Sequence, residues 1–258
     1  MLAMPPPAAA QVGVVLSVQT APPRLPMYAQ PPMPEAGYIW TPGYWQWATN
    51  AGYYWVPGTW VMPPMRNVLW TPPYWGWSDG AYVFHAGYWG PRVGYYGGIN
   101  YGHGYGGDGY QGGRWERGSF VYNRSANNFG RVRVTDAYRQ PMSFPNHSQV
   151  SFAGGLGGVR AQPNERERSA ERDNHHPETE QQLGRFNAAA NQPGLMATYN
   201  NGRPEIAATA RPGQFQGREM EHTQGAASPV AHADTHAPQH GDMRPMDQNR
   251  ERERDRVR

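Results

Sequence analysis

Cysteine is absent from this 258-residue chain, and so is lysine: all 23 basic residues are arginine. The first absence excludes disulfides, thiolate metal ligands and a lipid-modified N-terminal cysteine. The second leaves cations that suit stacking on aromatic rings, although a coding bias gives the same composition. No window approaches the ~20 apolar residues of a membrane helix. Acids are scarce where aromatics are dense, with only Asp79, Asp108 and Glu116 between Tyr38 and Tyr122. General acid–base chemistry needs titratable groups in a defined pocket, so the expectation is not an enzyme, with no catalytic residue, cofactor or metal. Asp108 and Glu116 stay open as a glycosidase-like pair, which would require them to face each other across a cleft.

What is present is unevenly placed. All ten Trp lie between Trp40 and Trp115, and fourteen of sixteen Tyr between Tyr28 and Tyr122. From Arg160 onward only Phe186, Tyr199 and Phe215 are aromatic, and Arg and Glu interleave. Such a segment buries too little apolar surface to offset its ordering entropy, so residues 160–258 are expected to be a disordered polyampholytic tail. Its near balance of charge makes it a poor phosphate-coating arm, so no nucleic-acid partner is expected. At the other end, "PPPAAAQVG" has small residues ending at Ala10, as a secretory cleavage site would. Residues 1–10 read as the remnant of a signal peptide truncated by a late start codon; the alternative is a cytoplasmic protein with a Pro/Ala-rich leader.

The centre is repetitive. "WTPGYW" (Trp40 to Trp45) recurs as "WVPGTW" (Trp55 to Trp60), "WTPPYW" (Trp70 to Trp75) and a worn "FHAGYW" (Phe84 to Trp89). If Pro42 and Gly43 are the central residues of a tight hairpin, Thr41 faces Tyr44, Trp40 faces Trp45, and Tyr38 faces Trp47. One objection is that Pro-Gly favours a type II turn, whose twist fits a two-residue hairpin badly. Asp79-Gly80 is a firmer type I′ signal, setting Ser78 opposite Ala81, Trp77 opposite Tyr82 and Trp75 opposite Phe84. "ATNAG" should close as an odd-length loop. The expected fold is all-β: an antiparallel meander of eight short strands with a Trp ladder on one face, forming a small sheet, a partly closed barrel or a sandwich. The strands are about half the length of a transmembrane β-strand. The expected divisions are 11–37 (first strand, Gln11 to Val18, and Pro-rich lead-in), 38–92 (hairpin repeats), and 93–159 (a Gly/Tyr-rich extension with one or two further strands). Within the last, eleven of the 25 residues from Gly94 to Gly118 are Gly.

"WTPGYW", "WVPGTW", "YWGW" and "HAGYWGP" resemble the bacterial YXWGXW (WXXGXW) repeat family over about Pro31 to Asn123. The residues that carry the repeat are Trp40, Gly43, Trp45, Trp55, Gly58, Trp60, Trp70, Trp75, Phe84, Gly87 and Trp89; Pro73 and Phe84 depart from the pattern. The resemblance implies an exported protein of the periplasm or outer envelope, with peripheral membrane association left open and no catalytic residue.

Other motifs are weaker. "GHGYGG" (Gly102 to Gly107) fits G-x-G-x-x-G without a strand-then-helix context. His232, His236 and His240 recur every four residues, but Pro238 argues against a helix that would align them. Flat aromatics do stack on sugar rings. The Trp ladder is either the core of the sheet or a binding face, and Trp47, Trp77 and Trp115, near edges or loops, are the candidate ligand-stacking residues. The first functional reading is a non-enzymatic structural or interaction module of the envelope, partnered by another envelope protein. The second is a glycan- or cell-wall-binding module using exposed Trp; the third is a nucleic-acid-binding or condensate-forming Tyr/Gly/Arg protein.

Overall fold

The computed structural model describes residues 16–144, 148–217 and 219–224. Residues 1–10, most of the expected first strand and residues 225–258 lie outside these, as do the three regularly spaced histidines. Of the first strand, β1 (Ser17–Val18) is described.

The centre consists of two long hairpins, each kinked in the middle. The first has β2 (Ile39–Thr41) and β3 (Tyr44–Ala48) in one arm, β4 (Gly52–Val56) and β5 (Gly58–Val61) in the other. The second has β6 (Leu69–Thr71) and β7 (Tyr74–Ser78) against β8 (Ala81–His85) and β9 (Tyr88–Gly90). Outer halves pair with outer halves, Trp40↔Trp60 and Trp70↔Trp89, and inner with inner, Trp45↔Trp55 and Trp75↔Phe84. The register carries straight through each kink, from Thr41↔Thr59 to Tyr44↔Val56. The tips form as the sequence indicates. Asp79 and Gly80 both take positive φ, at 49° and 86°, with Ser78↔Ala81 and Trp77↔Tyr82 beside them, and "ATNAG" closes through three residues between Ala48 and Gly52.

The Pro-Gly hairpin does not form. Trp40 pairs with Trp60 twenty residues away, not with Trp45, so the eight-strand meander and its single ladder become two kinked hairpins in several small sheets. The reason is local: Pro42 has no N–H for a ladder, and a Pro-Gly turn twists the wrong way for a two-residue loop. The chain therefore bends at Pro42-Gly43 and continues.

The two hairpins pack through equivalent positions. The Trp75 Nε1–H donates to the Trp45 carbonyl at 2.8 Å, and the Tyr105 hydroxyl reaches the carbonyl oxygens of Trp70 at 3.0 Å and Trp40 at 3.4 Å. Tyr105 comes from the Gly-rich run, where β10 (Asn100–Gly102), β11 (Tyr105–Gly106) and the turn before them bury Tyr96, Ile99, Tyr101 and Tyr105 in the core. This run is a packed wedge. Beyond it, β12 (Gly113–Glu116) and β13 (Ser119–Asn123) form an antiparallel hairpin edged in parallel by β14 (Ala137–Tyr138), while β15 (Phe152–Ala153) adds in parallel to β7.

The boundary of the expected tail moves. Residues 160–224 carry α1 (Glu165–Ala170), α2 (Glu180–Ala190), a 3₁₀ turn (Pro193–Leu195), α3 (Ala197–Asn200), β16 (Ile206–Thr209) and β17 (Met220–His222), and β16 pairs in parallel with β5. Polar groups anchor this segment in place of the aromatics it lacks. A buried indole N–H needs an acceptor. Trp55 Nε1–H finds the Ala207 carbonyl at 2.9 Å, and Trp89 Nε1–H finds Gln182 Oε1 at 2.8 Å. The fully buried Arg185 guanidinium donates through Nη1 to Thr41 Oγ1 at 3.2 Å and to the Pro57 carbonyl at 3.1 Å, clamping the first kink from outside. Capping boxes at Asn164 and Thr179 start α1 and α2. Among the described residues, no helix is long and apolar enough to cross a membrane.

Candidate functional site

The first kink is built from two glycines and two indoles. A Cβ on Gly43 would stand 2.3 Å from Trp55 Cζ2, and one on Gly58 would stand 2.7 Å from Trp40 Cζ2. The glycine in W-x-x-G-x-W is thus the floor on which the opposite arm's indole lies. Trp40–Trp60 and Trp45–Trp55 meet edge to face with centroids 5.4 and 5.3 Å apart, which adds about 0.5–1.5 kcal/mol per pair beyond burial. All seven repeat tryptophans are buried, none exposed by more than 2%. The ladder positions are core and are closed to a ligand as folded.

An open site lies beside the repeats. The β12–β13 hairpin turns at Arg117 and Gly118, both at positive φ, and pairs Trp115 with Phe120. Trp115 is half-buried, pinned by its Nε1–H to the Val68 carbonyl at 2.8 Å. Its ring meets Phe120 edge-on at 5.4 Å, and Phe120 meets Tyr122 at 4.7 Å. Tyr122 is fixed in turn, its hydroxyl accepting from the Gly37 N–H at 2.8 Å and donating to the Tyr38 carbonyl at 2.9 Å; burial pushes its pKa up to about 12, with the Gly37 bond opposing. These rings floor a cleft of about 450 Å³ whose walls are Met62, Met65 and Arg66 from the segment between the hairpins and Arg133 to Asp136 before β14. That volume is within the range that holds small organic ligands. A rigid aromatic floor with a charged rim can hold a ring by its face and fix its substituents by hydrogen bonds.

The WXXGXW repeat family matches the chain in two copies, residues 36–61 and 66–89, and each copy spans one kinked hairpin. The chain carries two WXXGXW repeats. Comparison with curated proteins and with solved structures gave no match. The four aromatic units of the sequence are therefore two WXXGXW copies, each contributing both arms of a hairpin. The second copy departs from the first at facing positions. Pro73 stands where Gly43 does, and the residue equivalent to Trp55 is Phe84, a smaller ring. The two departures compensate each other: without the glycine there is no floor for an indole.

The other candidates are scattered. Trp47 is half-buried against Tyr53 at 4.9 Å, and Trp77, 40% exposed, lies edge-on to Tyr82 at 4.7 Å with Gly154 and Gly155 behind it. Of the three predicted stacking residues, Trp115 alone lines one of the main clefts. Asp108 and Glu116 are not brought together. Glu116 pairs with Arg114 at 2.6 Å, whereas Asp108 accepts from Asn164 Nδ2 at 3.1 Å in a separate cleft of about 510 Å³ that it shares with Glu167. Burial holds the Glu167 carboxyl above the usual carboxylate range, against its bond from the Asn164 N–H. "GHGYGG" lies in the core wedge, and the next helix after it among the described residues is α1. His103 within it is at positive φ (49°), with its ring against Trp40 and Tyr28. His175 stacks on Tyr88 at 3.7 Å, while His176 bonds Trp89 through its backbone; among the described residues no three His, Cys, Asp or Glu form a metal-binding group. Sequence reasoning missed Met65, Arg66, Arg133 and Asp136. The available signal was the crowding of arginines between Arg114 and Arg139.

Proposed function

We propose that this WXXGXW protein is a non-enzymatic interaction module of the cell envelope that holds a glycan against Trp115. The observation that carries the reading is the cleft: a partly exposed indole, locked by its own N–H and backed by Phe120 and Tyr122, beside a polar rim. A pre-positioned ring loses little conformational entropy on stacking against a sugar, so its binding energy is retained. The repeats are the scaffold, since their own rings are consumed in the core. The resemblance to exported envelope proteins supports an envelope location, and wall polysaccharide is the glycan such a location offers.

The test uses the full-length chain, titrated with soluble peptidoglycan oligosaccharides while Trp emission and acrylamide quenching are read. Protection of a quenchable Trp population, lost in Trp115→Ala with an affinity drop of at least about tenfold and an unchanged near-UV spectrum, supports the reading. Unchanged quenching, together with equal retention of wild type and Trp115→Ala on insoluble peptidoglycan, would sink it. Fractionation of cells expressing the tagged chain from its native start tests the location, and recovery in the cytosol alone refutes it.

A further inference from the structure

The rim of the Trp115 cleft is biased toward positive charge. Arg66 approaches from the inter-hairpin segment, where its Nη1 stands 3.9 Å from the Cβ position at Gly118, and Arg133 lines the same cleft from the segment before β14. Neither has an ion pair among the described residues, where the side-chain pairs are Arg92–Asp173 and Arg114–Glu116. Among the described residues, Asp136 is the one acid lining the cleft. The surrounding sequence has the same bias, with six arginines between Arg114 and Arg139 against Glu116 and Asp136. A neutral sugar would satisfy the ring and leave both guanidinium forks facing water.

We infer that the cleft selects saccharides bearing an anionic substituent, a carboxylate or a phosphate, with the sugar face on Trp115 and the anion held between Arg66 and Arg133; this rests on the glycan reading above. A guanidinium presents two parallel N–H groups that match either anion, and the charge-assisted bonds so formed are about twice as strong as neutral ones. Asp136 contributes the acceptor that sugar hydroxyls require. The exposed Met62 and Met65 at the mouth are unbranched, so the lip adapts to substituents of different bulk. Because the rim is solvated, the selectivity is sensitive to salt.

The deciding experiment titrates the full chain with galacturonate trisaccharide, neutral galactotriose and galactose 6-phosphate against galactose, at low and at moderate ionic strength. The acidic trisaccharide is expected to bind about tenfold tighter than the neutral one at low salt, with the gap narrowing as salt rises. The double variant Arg66→Gln/Arg133→Gln closes the gap, weakening the acidic trisaccharide about tenfold more than galactotriose, and Trp115→Ala weakens both trisaccharides. A preference for galactose 6-phosphate over galactose alone would assign the anion as phosphate, and a preference for the uronate alone would assign it as carboxylate. Equal affinity for acidic and neutral sugars, unchanged in the double arginine variant, overturns the inference and leaves the glycan reading standing. No binding of any of the four, together with unchanged quenching on adding peptidoglycan oligosaccharides, overturns both.

Discussion

Replacing Gly43 by alanine adds one methyl group where the fold has no room for it. The new Cβ would stand 2.3 Å from Trp55 Cζ2 and 2.8 Å from the Gly58 nitrogen, well inside van der Waals contact. Neither neighbour can retreat freely. Gly58 is backbone at the kink, and Trp55 is held by its N–H on the Ala207 carbonyl and by its edge-to-face contact with Trp45. Overpacking of this kind costs typically 1–3 kcal/mol, and displacing the ring enough to break its hydrogen bond adds about 1 kcal/mol. The expected loss is about 3 kcal/mol, or about 6–12 °C in Tm for a chain of this size. Gly80→Ala is the control, because its Cβ meets nothing within 4 Å and only its φ of 86° is strained, so about 1 kcal/mol is expected. The second hairpin supplies the rescue. Trp55→Phe copies Phe84, and in a double-mutant cycle Gly43→Ala/Trp55→Phe should lose at least about 1 kcal/mol less than the sum of the single losses. Urea unfolding followed by Trp emission measures all four. A Gly43→Ala unfolding free energy within about 0.5 kcal/mol of wild type, or an additive cycle, refutes the account of the motif's glycine.

Other consequences follow from the buried polar groups. Arg185→Ala should destabilise the chain by about 3–5 kcal/mol, since it leaves the Pro57 carbonyl unpaired and Glu178 without the cation that opposes its upward, burial-driven shift; Arg185→Ala/Glu178→Gln should recover part of that in the same urea assay. Tyr105→Phe removes the hydroxyl that bridges the two hairpins at Trp40 and Trp70 and should cost about 1–3 kcal/mol without moving the near-UV spectrum of the remaining rings. Burial lowers the His103 pKa from 6.5 to about 4, opposed by a bond with the Tyr28 backbone. The unfolded chain therefore binds a proton that the folded chain refuses, and stability complete above pH 6.5 falls as pH drops toward 4. The loss should reach about 2–3 kcal/mol and disappear in His103→Gln; a flat profile for wild type over that window contradicts it.

The hairpin tips were legible in the sequence because their determinants are local. Asp79-Gly80 needs two positive φ values in succession, and few residue pairs tolerate that, so the register of β7 and β8 follows from the turn alone. The density of tryptophan fixed where the core would be, for no other placement removes so much apolar surface from water. Trp40 is different. Its alternation permits pairing with Trp45 across a tight turn or with Trp60 across a long hairpin, and the five-residue spacing fits both. The choice falls to the tertiary structure, where Pro42 cannot donate to a ladder, Gly43 can receive the Trp55 ring, and the kink so formed accepts the Arg185 clamp. The segment from 160 to 224 was illegible for a related reason. Its anchors are acceptors and a guanidinium, and composition cannot show that Ala207 and Gln182 will meet indole N–H groups left unsatisfied more than ninety residues away. The Trp115 cleft likewise joins the inter-hairpin segment, the β12–β13 turn and the approach to β14, three stretches that only the packed chain brings to one place. The sequence by itself determined the hairpin tips and the aromatic core, because these depend on neighbours in the chain. The tertiary structure decided the pairing across the kinks, the docking of 160–224 and the cleft, because each depends on a polar or steric partner that is distant in sequence.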